Sequence, residues 1–215
     1  MNAASDLVLA EPSAVADLTQ FVSRASVLVP GGYVRMQAAG QALQFTVLVR
    51  SGEGLLGTGT VTGMRGVALA EGAPATCDVL VDLAGVAARL ARMTRESSTR
   101  LAIPAGVRSA AWAAVTAPRS GWEVVGEADA ADLREVAARL LAPVTKARDD
   151  GASEAQIAAA DKAAWGGTLG EGLGQFRAGL VLGAHALGFL TGSARVLRHG
   201  SWQRLTTPAG SVIGR

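Results

Sequence analysis

The sequence predicts an α+β protein, with a mainly antiparallel sheet and helices in its N-terminal half and a mainly helical C-terminal half that ends in a β-hairpin. Three patterns predict this fold class. Apolar and polar residues alternate over residues 43–49, as in a strand with one buried face. Apolar residues recur at helical spacing over residues 83–93. Capping signals mark helices within residues 129–165, and strand-forming residues return after residue 195.

The N-terminal half is predicted to open with a helix and to continue as a sheet. Residues 12–23 carry one apolar stripe, which predicts a helix. Strands are expected at residues 26–30, 33–37, 43–49 and 76–81, with one or two more within 57–70. Asp82 is placed to cap a helix whose buried face is Leu83, Val86, Leu90 and Met93.

The C-terminal half alternates short strands with longer helices. A strand is expected at residues 100–104, and Asp129 is placed to cap a helix that ends near Pro143. Ser153 and Gln156 form a capping-box pattern for the next helix. An apolar helix at 176–190 and two short strands in the C-terminal tail complete the prediction. The polar stretch around residues 94–99 then separates two domains, residues 1–97 and residues 98–215.

The composition indicates a cytoplasmic protein whose core is built from small aliphatic side chains. Hydrophobic residues make up 49% of the chain but aromatic residues only 4%, so alanine, valine and leucine must fill the core. The lone Cys77 excludes an internal disulfide, which fits a reducing cytoplasm. The first residues lack the features of a secretion signal. The apolar stretch 178–194 falls short of a membrane span of about 20 residues, so we expect no membrane association.

No motif predicts a catalytic, cofactor-binding or metal-binding site. Residues 52–57 match G-x-G-x-x-G, but strand-like residues follow where a dinucleotide site needs a helix. The glycines at 170–174 precede a helix, yet they follow another helix and their central glutamate would repel phosphate. His185 and His199 have no carboxylate within a helical turn to orient them as bases. We therefore predict no catalytic residue, no cofactor and no metal ion.

The charge distribution points to a candidate partner-binding surface. Residues 123–161 contain nine acidic and four basic residues, whereas residues 162–215 contain six basic residues and one acidic residue. Arginines beside an aromatic residue on a hairpin are suited to contact phosphates and stack on bases. The alternative is that these arginines pack on the acidic helices of the same half. The residues that we predict to bind a partner are Arg119, Trp122, Arg198, Trp202 and Arg204.

Three segments resemble an uncharacterised family of conserved actinobacterial proteins of about this length. They are Trp112, residues 118–123 (PRSGWE) and residues 200–210 (GSWQRLTTPAG). The richness of the chain in alanine, glycine and arginine fits a bacterial genome of high GC content. The resemblance implies no activity.

Three functions remain open from the sequence. The first is a non-catalytic interaction or scaffold protein, a homo-oligomer or the binder of another protein, whose tryptophans at turns anchor the partner. The second is a nucleic-acid-associated accessory protein that uses Arg195, Arg198 and Arg204. The third is a small-molecule binder or enzyme with a pocket between the two halves.

Overall fold

A computed structural model describes residues 6–52, 57–107, 109–114, 116–170 and 175–215. It confirms the α+β fold class, an antiparallel sheet and a C-terminal hairpin. The chain divides into two compact units. Unit 1 consists of Met1–Val49 and Met64–Thr116, and unit 2 of Arg50–Gly63 and Ala117–Arg215.

The elements of unit 1 follow the predicted order of helix, sheet and helix. They are β1 (Leu7–Val8), α1 (Pro12–Leu28), β2 (Tyr33–Gly40), β3 (Ala42–Arg50), β4 (Val61–Ala68), β5 (Ala75–Asp82), α2 (Leu83–Arg95), β6 (Arg100–Leu101), β7 (Gly106–Val107) and a short 3₁₀ helix (Ala111–Ala114). Helix α1 is longer than predicted and includes residues 26–28, where the sequence predicts a strand. Residues 57–70 contain one strand, β4. The strand predicted at 100–104 is confined to β6.

The sheet of unit 1 has the strand order β7-β5-β2-β3-β4. Side chains on β2 and β3 alternate between buried and half-buried, so one face forms the core and the other carries polar residues. The four apolar residues predicted for the buried face of α2 are all buried, and α2 packs against α1 and β5. Asp82 does occupy the N-cap position of α2, although its side chain makes no capping hydrogen bond.

Unit 2 contains the three α-helices of the second half and a set of antiparallel strands. Its elements are β8 (Glu123–Asp129), α3 (Ala130–Asp149), α4 (Glu154–Gly166), β9 (Thr168–Leu169), β10 (Phe176–Arg177), α5 (Ala178–Leu187), β11 (Ser193–His199), β12 (Trp202–Thr207) and β13 (Gly210–Gly214). Residues 61–63 of β4 belong to this unit, where the order is β4-β13-β12-β11-β8. The C-terminal tail therefore forms three strands, where the sequence predicts two.

The helices of unit 2 begin where the capping signals predict. The Asp129 side chain accepts a hydrogen bond from the amide of Ala131, and Ser153 and Gln156 form the complete capping box of α4. Helix α3 continues past Pro143, where the sequence predicts its end, and Ala137 and Val144 on either side of the proline are buried. Packing of α3 on α4 and α5 therefore outweighs the loss of one helical hydrogen bond.

Three further sequence predictions concern the domain boundary, the glycine motifs and the absence of a membrane span. The boundary predicted between residues 97 and 98 falls in the turn between α2 and β6, within unit 1. Independent folding of the two predicted domains stays a prediction. Residues 53–56 and 171–174, which contain most of the two glycine motifs, lie outside the described residues. Within the part of the chain that the structure describes, no helix is both long enough and apolar enough to cross a membrane.

Candidate functional site

The sheet of unit 2 has one face toward α5 and one face that carries arginines. Ala194, Val196, Leu205 and Val212 are buried on the α5 side, where an added Cβ at Gly214 would approach Leu180 of α5 within 3.1 Å. Because side chains alternate along a strand, the intervening residues share the opposite face. We call this side of the sheet the arginine face; it consists of Arg195, Leu197, His199, Trp202, Arg204, Thr206, Ser211 and Ile213, of which Ser211 and Ile213 are buried.

Arg204 is the most unusual group on the arginine face. Its Nη2 donates to the Oγ of Ser211 over 2.9 Å, whereas its Nε is buried without a hydrogen-bond partner. Burial lowers the pKa of Arg204, and the nearby charge of Arg195 lowers it further. Among the described residues, no carboxylate lies within ion-pair distance of its guanidinium. The protein thus holds a half-buried cation beside a second cation.

Two hydroxyl groups stand next to this pair of arginines. The Oγ1 of Thr206 lies 3.1 Å from the Oγ of Ser211, within hydrogen-bond distance. Thr206 is the cross-strand neighbour of Ser211 on one side and of Arg195 on the other. Glu127, an exposed residue of β8, is in turn the cross-strand neighbour of Arg195. Cations and hydroxyl donors therefore occupy adjacent positions on one surface.

The aromatic residues at the end of the arginine face are engaged within unit 2. The guanidinium of Arg215 lies over the Trp202 ring, 5.3 Å from its centroid. Trp122 donates from Nε1 to the carbonyl of Pro118 over 2.9 Å, and its ring centroid lies 6.0 Å from that of His199. His199 is the cross-strand partner of Trp202. The Pro118–Trp122 turn is thereby attached to the turn between β11 and β12.

Gly121 makes this attachment possible. The Nδ1–H of His199 donates to the Gly121 carbonyl over 2.8 Å, because a carbonyl oxygen can only accept. Gly121 has a φ of +76°, and an added Cβ would lie 3.0 Å from Cε1 of His199. A residue with a side chain would be strained here in both conformation and space.

The structure brings together only some of the residues predicted to bind a partner. Trp202 and Arg204 share the arginine face, and Trp122 adjoins it through His199. Arg119 is exposed in the turn before Trp122. Arg198 pairs with Gln203 and so points to the α5 side of the sheet. Sequence reasoning missed Thr206, Ser211 and Arg215, although Thr206 alternates with Arg204 and Trp202 along the same strand.

Arg35 of unit 1 shows how this protein neutralises an arginine in a structural role. Its Nε and Nη2 donate to the two carboxylate oxygens of Asp78, each over 2.7 Å, and its Nη1 donates to the carbonyl of Ala113 over 3.0 Å. The hydrogen bond to Asp78 raises the pKa of Arg35. The two-point pair joins β2 to β5, and the Nη1 hydrogen bond attaches the 3₁₀ helix to this sheet. Arg204 has no such carboxylate counterpart in the described chain.

Comparison with protein families places the chain among proteins of unknown function. Residues 117–215 match the family described as Domain of unknown function (DUF8185), and residues 2–114 match a second family, Domain of unknown function (DUF8010). The chain matches no curated protein sequence and no solved structure. These two matches confirm the expectation that the chain belongs to an uncharacterised family. Because the match over residues 2–114 spans more than half of the sequence, the chain belongs to the DUF8010 family.

Proposed function

We propose that this chain is a non-catalytic interaction protein whose unit 2 binds an acidic segment of a partner protein through the arginine face. The observation that carries the proposal is Arg204, a half-buried guanidinium that has an unpartnered Nε and no anion in contact among the described residues. The proposal combines the interaction function expected from the sequence with the basic character of its C-terminal segment.

The energetics of Arg204 favour an anionic ligand. A buried polar group without a hydrogen-bond partner costs about 1–3 kcal/mol, and repulsion from Arg195 adds to that cost. A carboxylate seated on the arginine face would accept from Nη1 of Arg204, since the buried Nε lies out of its reach, and would screen the two cations from each other. The charge of Arg35 is instead neutralised by an internal carboxylate, that of Asp78. Because Arg204 has no such carboxylate, its surroundings favour ligand binding over internal stability.

The surroundings of the tryptophans favour a protein partner over a nucleic acid. Sequence-independent binding of single strands uses aromatic rings on which bases stack. In unit 2 the Trp202 ring is covered on one face by Arg215, and the Trp122 ring lies against His199. An acidic protein segment needs cations and hydrogen-bond donors rather than free ring faces, and the arginine face offers those groups.

Two further observations support a non-catalytic role. Burial raises the pKa of the Cys77 thiol, which disfavours the reactive thiolate. The Nδ1–H of His199 donates to the Gly121 carbonyl rather than to a carboxylate that would orient the ring as a general base.

Fluorescence anisotropy with a labelled peptide of alternating aspartate and glutamate tests the proposal. We expect binding that weakens as salt rises, because the contacts are charge-assisted. Arg204→Gln should weaken binding about ten-fold, since it removes one such contact. Arg204→Lys, which keeps the charge and loses the forked donor geometry, should cause a loss of about three-fold.

The matched control is Arg139→Gln, which removes the same charge from an exposed arginine of α3 in unit 2. It should change the dissociation constant by less than about two-fold. Equal losses of binding in Arg204→Gln and Arg139→Gln would show that only net charge matters and would overturn the proposal. Tighter binding of a labelled oligothymidylate than of the acidic peptide would favour the nucleic-acid function instead.

We also infer a cytoplasmic location and an actinobacterial origin. The single cysteine, which leaves the chain without an internal disulfide, supports the location. The alanine-, glycine- and arginine-rich composition supports the origin.

A further inference from the structure

The donors on the arginine face indicate what kind of anion unit 2 would bind. We propose that Arg195, Arg204 and Thr206 together bind a phosphoryl group. This inference rests on the proposed function and specifies the anionic group that the arginine face prefers, a tetrahedral dianion.

The hydrogen-bond chain leaves a proton on Thr206 for a ligand. Ser211 Oγ accepts from the Nη2 of Arg204, so that lone pair is occupied by a cationic donor. Ser211 is only 6% exposed, and its Oγ lies 3.1 Å from the Oγ1 of Thr206, where either hydroxyl could donate. We assign the donation to Ser211, because its buried proton has no other acceptor among the described hydrogen bonds, and the less buried Thr206 then keeps its own proton for a ligand. The charge of Arg204 polarises this chain and makes Thr206 a better donor.

The donors are spread over neighbouring positions of two strands. Thr206 and Arg195 face each other across β12 and β11, and Arg204 lies two residues before Thr206 on the same side of β12. Neighbouring strands are about 4.8 Å apart, and residues i and i+2 are roughly 7 Å apart along a strand. A planar carboxylate presents two oxygens in one plane, whereas a phosphoryl group presents three oxygens in different directions. The dispersed donors fit the second geometry better.

The charge on this surface also matches a dianion. Arg195 and Arg204 supply two positive charges, and a phosphoryl group on a side chain carries about −1.5 to −2 at neutral pH. Glu127 is the cross-strand neighbour of Arg195 on β8, but no ion pair joins the two among the described residues. Arg195 is therefore open to a ligand, and Nη1 of Arg204 has no hydrogen-bond acceptor in the described chain.

A pair of peptides separates this inference from the proposed function. The probe is a labelled phosphoserine peptide, compared with its unphosphorylated twin and with the aspartate–glutamate peptide at the same ionic strength. We expect the phosphopeptide to bind at least about ten-fold more tightly than its twin, as charge-assisted hydrogen bonds imply. Thr206→Val should weaken phosphopeptide binding about five-fold by removing one donor. It should leave binding of the acidic peptide within about two-fold.

Thr191→Val, at an exposed threonine of unit 2, is the matched control and should leave all affinities unchanged. Circular dichroism of each variant verifies its fold. Competition by inorganic phosphate, with chloride at equal ionic strength as reference, identifies the source of the ligand. Displacement at millimolar phosphate would indicate a free phosphorylated metabolite, and failure to displace would indicate a phosphorylated protein side chain. Either result keeps the phosphoryl chemistry.

Equal affinity for the phosphopeptide and its twin, or an unaffected Thr206→Val variant, would overturn the phosphoryl inference. If the acidic peptide still binds through Arg204 in that case, the proposed function stands without it. If neither the acidic peptide nor the phosphopeptide binds, both proposals fail.

Discussion

Arg35 and Arg204 are partly buried arginines on strands, and their surroundings shift their pKa values in opposite directions. Asp78 raises the pKa of Arg35 by a two-point hydrogen bond, whereas burial and Arg195 lower the pKa of Arg204. A raised pKa means that folding favours the charged side chain, and a lowered pKa means that folding disfavours it. At the scale of single residues, the two guanidinium groups therefore have opposite effects on stability.

This difference predicts that Arg204→Met stabilises the protein. Arg204 is protonated in the folded and unfolded states near neutral pH, so its lowered pKa represents a constant cost there. That cost is relieved only at strongly alkaline pH, where the folded state releases the proton first. Replacement by methionine should raise the free energy of unfolding by less than about 1 kcal/mol, since solvent screens this half-exposed group. Urea denaturation at pH 7 measures the change.

Arg119→Met is the control for the Arg204 variant and should change the free energy of unfolding by no more than about 0.5 kcal/mol. A clear loss of stability in Arg204→Met would contradict the prediction and indicate that the hydrogen bond to Ser211 outweighs burial. If Arg204→Met is stable but no longer binds the acidic peptide, Arg204 serves binding rather than stability.

Helix α4 shows how polar contacts hold an element that buries little apolar surface. Ala164 is the one buried residue of this helix. Arg50, at the end of β3, donates to Asp161 over 2.6 Å, and its guanidinium lies 5.1 Å from the Trp165 ring centroid. One arginine therefore makes both an ion pair and a cation–π contact with the same helix.

We expect Arg50→Gln to loosen α4 without unfolding unit 2. The ion pair and the cation–π contact together contribute about 1 kcal/mol, so the amides of residues 158–166 should exchange with solvent about five-fold faster. Hydrogen exchange followed by mass spectrometry measures this effect. Arg139→Gln, at an exposed position of α3, should leave these rates unchanged. Equal exchange in both variants would show that packing on α3 and α5 suffices.

At the scale of the whole molecule, unit 2 depends on a segment that lies far from the rest of it in sequence. The amide of Gly59 donates to the carbonyl of Arg215 over 2.8 Å, and Thr62 Oγ1 donates to the carbonyl of Ile213 over 3.4 Å. An added Cβ at Gly179 would approach Val61 within 3.4 Å, so α5 also packs against this segment. The family match over residues 117–215 does not include these residues.

A fragment of residues 117–215 should therefore be less stable than a chain in which residues 50–63 are joined to residue 117 by a flexible linker. Without that segment, β13 becomes an unpaired edge and loses apolar contact with Val61. We expect the linked chain to unfold cooperatively in urea and the short fragment to unfold at lower urea, with more binding of a hydrophobic dye. Tryptophan fluorescence follows both transitions. Identical midpoints would contradict the assignment of residues 50–63 to unit 2.

Much of the fold could be predicted from the sequence because its signals are local. The alternation over 43–49, the stripe on α2 and the caps at Asp129 and Ser153 each depend on residues within a few positions. Strand β8 was missed, because Val124 and Val125 adjoin each other at a bulge and interrupt the alternation. The continuation of α3 past Pro143 was also missed, because it depends on packing against α4 and α5.

The features of the candidate site likewise fall into those that the sequence determined and those that the tertiary structure decided. The sequence by itself determined that the C-terminal segment is basic, that its strands alternate, and that Trp202 and Arg204 therefore share a face. Only the tertiary structure decided that Arg204 has a buried Nε without a partner, that Ser211 and Thr206 stand beside it, and that Arg215 covers Trp202. The physical reason is that charge and periodicity belong to the chain, whereas burial and hydrogen-bond partners depend on which strands become neighbours.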